Sequence, residues 1–208
     1  MSPMQPRSSN ASKHESRNPI QRLVIARFHR RVVEVVQRLQ PRTVLEVGCG
    51  EGYVLQALVR AGVRAELHGV DLDATAVREA RARLGRHATV EVADARQLAA
   101  PEGPLGAGRR FDLVLMLEVL EHLSDPAAML PVLEALADPH VLLSVPQEPW
   151  FSGLNVLRGR HLRGLGNHPE HLQRFSRAAF VEFVARRFEI VAVPRCFPWT
   201  MVLGRVSP

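Results

Sequence analysis

A short apolar run followed by alternating glycines is the first pattern whose residue types and spacing indicate chemistry. The segment 44–52 reads V-L-E-V-G-C-G-E-G, which predicts a buried strand, a tight glycine turn and a helix. Such a turn lets the backbone approach a nucleotide-like ligand, and the helix N-terminus adds N–H donors. Its spacing differs from the G-x-G-x-x-G of dinucleotide-binding turns. The carboxylates of Glu46 and Glu51 would repel a pyrophosphate but suit a ligand with sulfonium and ammonium groups. The candidate residues here are Glu46, Gly48, Gly50 and Gly52, with Cys49 as a small buried loop residue.

Two aspartates follow the next two apolar runs. Asp71 ends the second run, about twenty residues past the loop, where a carboxylate can accept both hydroxyls of a ribose. Asp94 ends the third run, where a carboxylate and neighbouring backbone groups can bind an adenine amino group. A lone glycine loop would indicate only a tight turn, and a lone aspartate only a helix cap. Because all three features end successive strands, they predict one cofactor site, to which Leu72 and Ala95 also contribute.

These motifs resemble those of the class I S-adenosylmethionine-dependent methyltransferases. The matching segments are V-L-E-V-G-C-G-E-G at 44–52, G-V-D-L-D at 69–73, V-E-V-A-D-A at 90–95 and F-D-L-V-L-M-L-E-V-L-E-H-L at 111–123. The likeness is close over 40–146 and loose elsewhere. It implies that S-adenosylmethionine is the cofactor, with the glycine loop at its methionine end, Asp71 at its ribose and Asp94 with Ala95 at its adenine. One departure is the Asp-Pro-His sequence at 138–140, where these enzymes usually have Pro-Gly-Gly.

The fourth apolar run ends in E-V-L-E-H, which places Glu118, Glu121 and His122 in one short segment. If this segment is helical, the three side chains share one face beside the transferable methyl group. Two carboxylates and an imidazole can hold a divalent metal, with Mg²⁺ favouring the oxygens and Zn²⁺ the imidazole. A metal would acidify an acceptor hydroxyl during methyl transfer. The alternative interpretation is a wall of the cofactor site that binds no metal.

The E-V-L-E-H motif is similar to that of ubiquinone-biosynthesis O-methyltransferases, in which its residues bind a metal, and to that of small-RNA 2′-O-methyltransferases. In the RNA enzymes a further histidine completes the site, and His171 is the candidate here. His171 could equally cap or pack. The resemblance implies catalytic roles for Glu118, Glu121, His122 and His171, and a tentative metal site at the first three.

The elements that must position these residues alternate between strands and helices, which implies an α/β fold with a parallel sheet. We predict a Rossmann-like, seven-stranded, mostly parallel sheet with helices on both faces. The strands are expected near 43–47, 67–71, 89–93, 111–117, 140–145, 189–193 and 200–206, and the helices near 20–39, 52–61, 74–84, 126–137 and 176–187. Residues 1–18 read as a disordered tail and 19–208 as one methyltransferase domain with an insertion at 147–172.

Composition narrows the class of protein. The chain has 208 residues, of which 46% are hydrophobic, and two distant cysteines, which indicate neither a disulfide framework nor a thiolate zinc site. No signal peptide or membrane-spanning run is evident, so we expect a cytoplasmic protein. The net charge of +6 comes almost wholly from arginine, since Lys13 is the only lysine. This one-sided usage makes nucleic acid the less favoured partner.

The insertion interleaves apolar and cationic residues over 150–165, including Trp150 and Phe151. This make-up is typical of a segment that contacts an anionic membrane surface, and a substrate lid is the alternative. Both suit O-methylation of a small or isoprenoid, lipid-like acceptor, which is the function that we predict. The rival hypotheses are a metal-dependent RNA 2′-O-methyltransferase and a protein that binds the cofactor without transferring methyl. The sequence leaves the oligomeric state open.

Overall fold

The computed structural model describes residues 18–100, 102–106, 108–147, 173 and 175–207. Its helices are α1 (Pro19–Leu39), α2 (Tyr53–Arg60), α3 (Ala74–Leu84), α4 (Met129–Leu136) and α5 (Arg177–Ala185). Its strands are β1 (Thr43–Val47), β2 (Glu66–Asp71), β3 (Thr89–Val92), β4 (Phe111–Leu117), β5 (Ala137–Pro146), β6 (Phe188–Ala192), β7 (Arg195–Cys196) and β8 (Trp199–Val206). Within the described ranges, no helix combines the length and apolar character needed to span a bilayer.

The strands form one sheet in the order β3-β2-β1-β4-β5-β8-β6, with β7 paired to β8 at one side. Strands β1 to β5 are parallel, whereas β8 runs antiparallel to both β5 and β6. This order confirms the predicted α/β, Rossmann-like fold. The prediction of seven strands was one short within the described part, because the two-residue β7 lies where the sequence indicated only a turn.

Both faces of the sheet are covered, as the alternation in β4 shows. Leu113 and Leu115 belong to a core with α1, α2 and α3, whereas Val114 and Met116 belong to a core with α4 and α5. Successive residues of a strand point to opposite faces, so a strand buried on both sides reads as a continuous apolar run. The carboxyl ends of β1 to β5 therefore meet at one edge between the two helical layers.

Capping residues fix the helix that begins the described chain. The Asn18 side chain accepts hydrogen bonds from the backbone N–H groups of Ile20 and Gln21, and Pro19 occupies the first helical position. Asn18 therefore caps α1, although the sequence assigned it to the tail. At the other end, Gln40 adopts a left-handed conformation and its N–H donates to Val36. The predicted helix at 20–39 is confirmed to within one residue.

The predicted helix at 126–137 is divided in the structure. Asp125 caps a 3₁₀ turn at Pro126–Ala128, and α4 then runs only from Met129 to Leu136. Pro131 lies in the first turn of α4, where its missing N–H costs little. After β5, Ser176 caps α5, and the rings of Phe175 and Phe180, on either side of this cap, pack 5.4 Å apart as a hydrophobic staple.

Candidate functional site

The glycine loop after β1 depends on backbone conformations that glycine adopts most readily. Gly48, Gly50 and Gly52 all have φ between +51° and +77°. The N–H groups of Gly48 and Cys49 donate to the Val70 carbonyl at 2.8 and 3.0 Å. A Cβ on Gly48 would lie only 2.4 Å from a methyl carbon of Val119. The loop therefore packs against both β2 and the segment that follows β4.

Asp71, the last residue of β2, holds the loop in position. One carboxylate oxygen accepts the Gly50 N–H at 2.7 Å, and the other accepts the Asp73 N–H at 2.9 Å. The carboxylate is partly exposed, and each oxygen has a second lone pair with which it can accept another hydrogen bond. Asp71 can therefore accept ribose hydroxyls while it fixes the loop.

Asp94 lies beyond β3 and begins a 3₁₀ turn at Ala95–Gln97. Its carboxylate accepts the Arg96 backbone N–H at 3.0 Å and pairs with the Arg96 guanidinium at 2.6 Å. These hydrogen bonds lower the pKa of Asp94 to about 2. Asp94 is therefore an ionised acceptor at neutral pH, as binding of an adenine amino group requires.

A cleft of about 740 Å³ runs along the carboxyl edge of the sheet and brings most of the predicted site together. It is lined by six of the predicted cofactor residues: Gly48, Gly50, Asp71, Leu72, Asp94 and Ala95. Leu72 is 69% exposed, which leaves an apolar side chain available to a flat ligand. Glu118 and His122 line the same cleft, so it joins the predicted cofactor and catalytic residues.

A smaller pocket of about 60 Å³ opens next to the cleft and contains Glu46. Gly48, Leu117 and Glu118 line both cavities. Glu46 is 3% exposed, and burial, reinforced by the charge of Asp71, raises the pKa of its carboxyl. Its Oε2 atom has no hydrogen-bond partner among the described residues. A buried carboxyl oxygen of this kind suits an ammonium group, so the residues present fit the methionine end of S-adenosylmethionine.

The E-V-L-E-H segment does not form the expected helical face. Glu118 has φ of +60°, and only Leu120–His122 forms a 3₁₀ turn. The left-handed residue breaks the 3.6-residue period on which the shared face depended. Glu121 is 1% exposed and lines neither cavity, whereas Glu118 and His122 line the cleft. Among the described residues, no group of three or more His, Cys, Asp or Glu side chains is placed to hold a metal ion. His171 lies outside the described residues.

Comparison with known proteins identifies the family. A family model described as a methyltransferase domain matches residues 20–192. The chain belongs to this methyltransferase family. Ubiquinone biosynthesis O-methyltransferases of Alkalilimnicola ehrlichii and Thiobacillus denitrificans are 38% and 37% identical to it over 97 and 101 residues, 47% of the chain in each case. These matches span only 38% and 40% of the two relatives' own lengths.

Solved methyltransferase structures share the fold. The magnesium protoporphyrin IX methyltransferase of Synechocystis PCC 6803, with bound S-adenosylhomocysteine, has a TM-score of 0.68 and 23% identity, covering 95% of this chain and 92% of that one. An N-methyltransferase of Bradyrhizobium japonicum WM9, also with S-adenosyl-L-homocysteine, has a TM-score of 0.64 and 16% identity, covering 97% and 94%. The fold therefore leaves the acceptor atom of this methyltransferase open.

Three loop residues of the methyltransferase serve packing more than ligand contact. Cys49 lines the small pocket but is buried, which raises the pKa of its thiol, in agreement with its interpretation as a structural residue. Gly52 lines neither cavity, and a Cβ there would lie 2.9 Å from Leu84 and 3.2 Å from Ala80. Glu51, whose charge was expected to suit the ligand, is buried and lines neither cavity.

Sequence reasoning missed the wall of the small pocket opposite the glycine loop. Phe28 and His29 of α1 line it with Trp199 of β8, and the Phe28 and Trp199 rings lie 4.9 Å apart. Burial lowers the pKa of His29 to about 4, so its imidazole is neutral at pH 7. The only signal was an aromatic residue and a histidine beside the apolar stripe of α1. No fixed spacing linked them to a strand more than 160 residues later.

Proposed function

We propose that this methyltransferase transfers the methyl group of S-adenosylmethionine to a hydroxyl group on a small or lipid-like acceptor. The observation that carries the proposal is the junction of the two cavities at Gly48, Leu117 and Glu118. A cofactor that reaches from Asp71 and Asp94 toward Glu46 passes this junction. Its sulfonium supplies an electrophilic methyl group. The junction is then the place at which an acceptor oxygen can meet that methyl group.

The chain's own residues would orient both reactants. The carboxylates of Asp71 and Asp94 accept hydrogen bonds from the adenosine portion, and Glu46 pairs with the ammonium group. Glu118 and His122 border the acceptor from the cleft side. Either side chain can accept a hydrogen bond from the acceptor hydroxyl and then take its proton. This is the geometry that general-base catalysis needs. The partial likeness to proteins named O-methyltransferases supports oxygen as the acceptor atom.

A divalent metal is a separate part of the proposal. Glu118 and His122 offer one carboxylate and one imidazole to the cleft, while Glu121 is buried, with one carboxylate oxygen 4.0 Å from the His122 Nε2 atom. Two protein ligands fit Mg²⁺, which usually keeps several waters, better than tetrahedral Zn²⁺. Dialysis against EDTA should abolish transfer, and Mg²⁺ should restore it. Full turnover in EDTA would contradict a metal requirement and leave His122 as a general base that acts without a metal.

Contact of 150–165 with anionic membranes also stays a proposal. These residues lie outside the described part of the chain, but described residues next to the insertion contact one another and the E-V-L-E-H segment. Gln147 bridges to Phe175, and the Gln173 backbone N–H donates to the Glu121 carbonyl at 3.0 Å. Cosedimentation with anionic vesicles at low salt, lost at high salt and in a Trp150→Ser, Phe151→Ser variant, is the expected result. If the wild-type protein does not cosediment with anionic vesicles at low salt, the proposed membrane contact is contradicted.

Methyl transfer from labelled cofactor tests the reaction itself. The protein should label a compound in a small-molecule or lipid extract, and mass analysis should find an O-methyl group on the product. Asp71→Ala should label less of it at low cofactor concentration, because the cofactor binds more weakly. Label in an RNA pool would favour the RNA 2′-O-methyltransferase. Cofactor binding without labelling of any pool would favour a binding protein and contradict the proposal.

A further inference from the structure

An open groove lies between α1 and α2, apart from the cofactor cleft. Its volume is about 540 Å³. The α1 side is lined by residues at positions 22, 25, 26, 29, 30 and 33, which share one flank of the helix, and the α2 side by residues at 53, 56, 57 and 60. Its floor is mainly apolar, with Ile25, Ala26 and Val33 from α1 and Ala57 from α2. The groove therefore offers a surface for an apolar molecule several ångströms wide.

The rim of this groove is cationic. Arg22 and Arg30 of α1 and Arg60 of α2 line it, all three are exposed, and none of them forms an ion pair with a described residue. Glu34 is the only acidic residue in α1 and α2, and it pairs with Arg31 at 2.6 Å. Uncompensated guanidinium groups around an apolar floor favour a ligand with a carboxylate or phosphate group.

The groove is continuous with the pocket at the transfer site. Ile25, His29 and Tyr53 line both the groove and the small pocket that holds Glu46. Trp199 lines the same pocket and is 6% exposed, and its indole Nε1 has no hydrogen-bond partner among the described residues. A molecule in the groove can therefore extend into the pocket that Trp199 and Glu118 line. This connection between the groove and the pocket favours a substrate site, because a surface that only attracts anions needs no path to the transfer site.

We propose that this groove is the acceptor site, and that the acceptor carries an anionic group held by Arg22, Arg30 and Arg60. Its apolar body lies along the groove floor, and its hydroxyl end reaches Glu118, which lines both the small pocket and the cleft, at the junction that the proposed path of the cofactor passes. This inference rests on the proposed function and adds a substrate class to it. The shared chemistry is a carboxylate or phosphate next to an apolar body, whether on a soluble metabolite or in a lipid headgroup.

The test measures binding of n-octyl phosphate and of 1-octanol to the protein saturated with S-adenosylhomocysteine. The phosphate should bind at least about tenfold more tightly, because only it can pair with the arginines. Each of Arg22→Gln, Arg30→Gln and Arg60→Gln should weaken its binding about threefold to fivefold, a modest loss expected for exposed charges. Octanol binding should not change. The matched control is Arg27→Gln, on the same helix but outside the groove, which should leave both affinities unchanged.

Two further readouts separate the outcomes. Affinity for S-adenosylhomocysteine, measured on every variant, should stay at the wild-type value, so its loss would concern the cofactor site and not the groove. Binding to phosphatidylglycerol vesicles is then compared with binding to phosphatidylcholine vesicles. If replacing all three arginines weakens binding to the phosphatidylglycerol vesicles, the anionic group belongs to a lipid headgroup. If it does not, the anionic group belongs to a soluble metabolite. Equal affinity for octyl phosphate and octanol, or equal losses in Arg27→Gln and the groove variants, would overturn the proposal even where methyl transfer is intact.

Discussion

At the residue scale, the carboxylates of the site differ in environment more than their similar positions suggest. Asp94 is held ionised by Arg96, Asp71 is occupied by two backbone N–H groups, and Glu46 is buried beside a neighbouring negative charge. The sequence predicted that all three would lie at one sheet edge, because each lies at or next to the carboxyl end of an apolar run that reads as a strand. It could not predict their protonation, since burial and partners depend on segments distant in the chain. Glu51 shows the same limit: its type suited the ligand, but its side chain faces the interior.

Binding of S-adenosylhomocysteine should release a proton from Glu46. In the free protein, burial and Asp71 raise the pKa of this carboxyl, so it keeps its proton to a higher pH than an exposed glutamic acid does. An ammonium group favours the carboxylate and lowers that pKa, so affinity should rise as pH increases through the interval between the bound and free pKa values. Calorimetry over a series of pH values, in two buffers of different ionisation enthalpy at each pH, measures the release. Equal apparent enthalpies in the two buffers would contradict the expectation, and Glu46→Gln should abolish the difference.

Asp71→Ala should weaken binding of S-adenosylhomocysteine by about 1–3 kcal/mol, because hydrogen bonds to a buried ribose are lost. Loosening of the loop adds to this effect, since the Gly50 N–H also loses its acceptor. The matched control is Asp73→Ala, two residues along the chain. Asp73 caps α3 and does not line the cleft, so this variant should lose about 1 kcal/mol of stability and keep its affinity. Equal affinity losses in both variants would show that Asp71 acts only through the fold.

At the element scale, strands buried on both faces and capped helices were predictable, whereas short irregular turns were not. The limits of β1 to β4 and of α1 and α3 follow from apolar runs and from caps such as Asp73. β5 begins at Ala137, three residues before its predicted start. The prediction began after Pro139 because proline is rarely found inside a strand. The turn after Glu118 escaped prediction for another reason. Its left-handed residue is not a glycine, so the sequence carries no sign of the break.

The close packing of the loop against the turn after β4 predicts a large effect of Gly48→Ala. The left-handed conformation alone costs an alanine about 1–2 kcal/mol, and overlap with Val119 adds about 1–3 kcal/mol. Gly62→Ala is the control, since Gly62 has φ of +71° and nothing within 4 Å of its Cβ position. Denaturant unfolding should therefore show a larger loss for Gly48→Ala than for Gly62→Ala. Equal losses would mean that Val119 moves aside freely, and Gly48→Ala with Val119→Ala should recover the packing part.

At the scale of the whole molecule, two cavities that meet at Gly48 of the glycine loop have different roles in the proposed reaction. The cleft at the carboxyl edge carries the groups suited to adenosine, and the smaller pocket joins Glu46 to the groove between α1 and α2. The order of strands made the cleft predictable, because the carboxyl ends of parallel strands meet there. The acceptor side was not predictable, because it is assembled from α1 and β8, at opposite ends of the described chain.

The central claim, that this cleft is built for S-adenosylmethionine and not for a dinucleotide, is tested most directly by competitive calorimetry. S-adenosylhomocysteine should bind the wild-type protein with one site per chain and more tightly than NAD. The reason is that a buried, unpartnered Glu46 oxygen attracts an ammonium group and repels a pyrophosphate. Tighter binding of NAD, or S-adenosylhomocysteine binding that is unaffected by both Asp71→Ala and Glu46→Gln, would contradict the account.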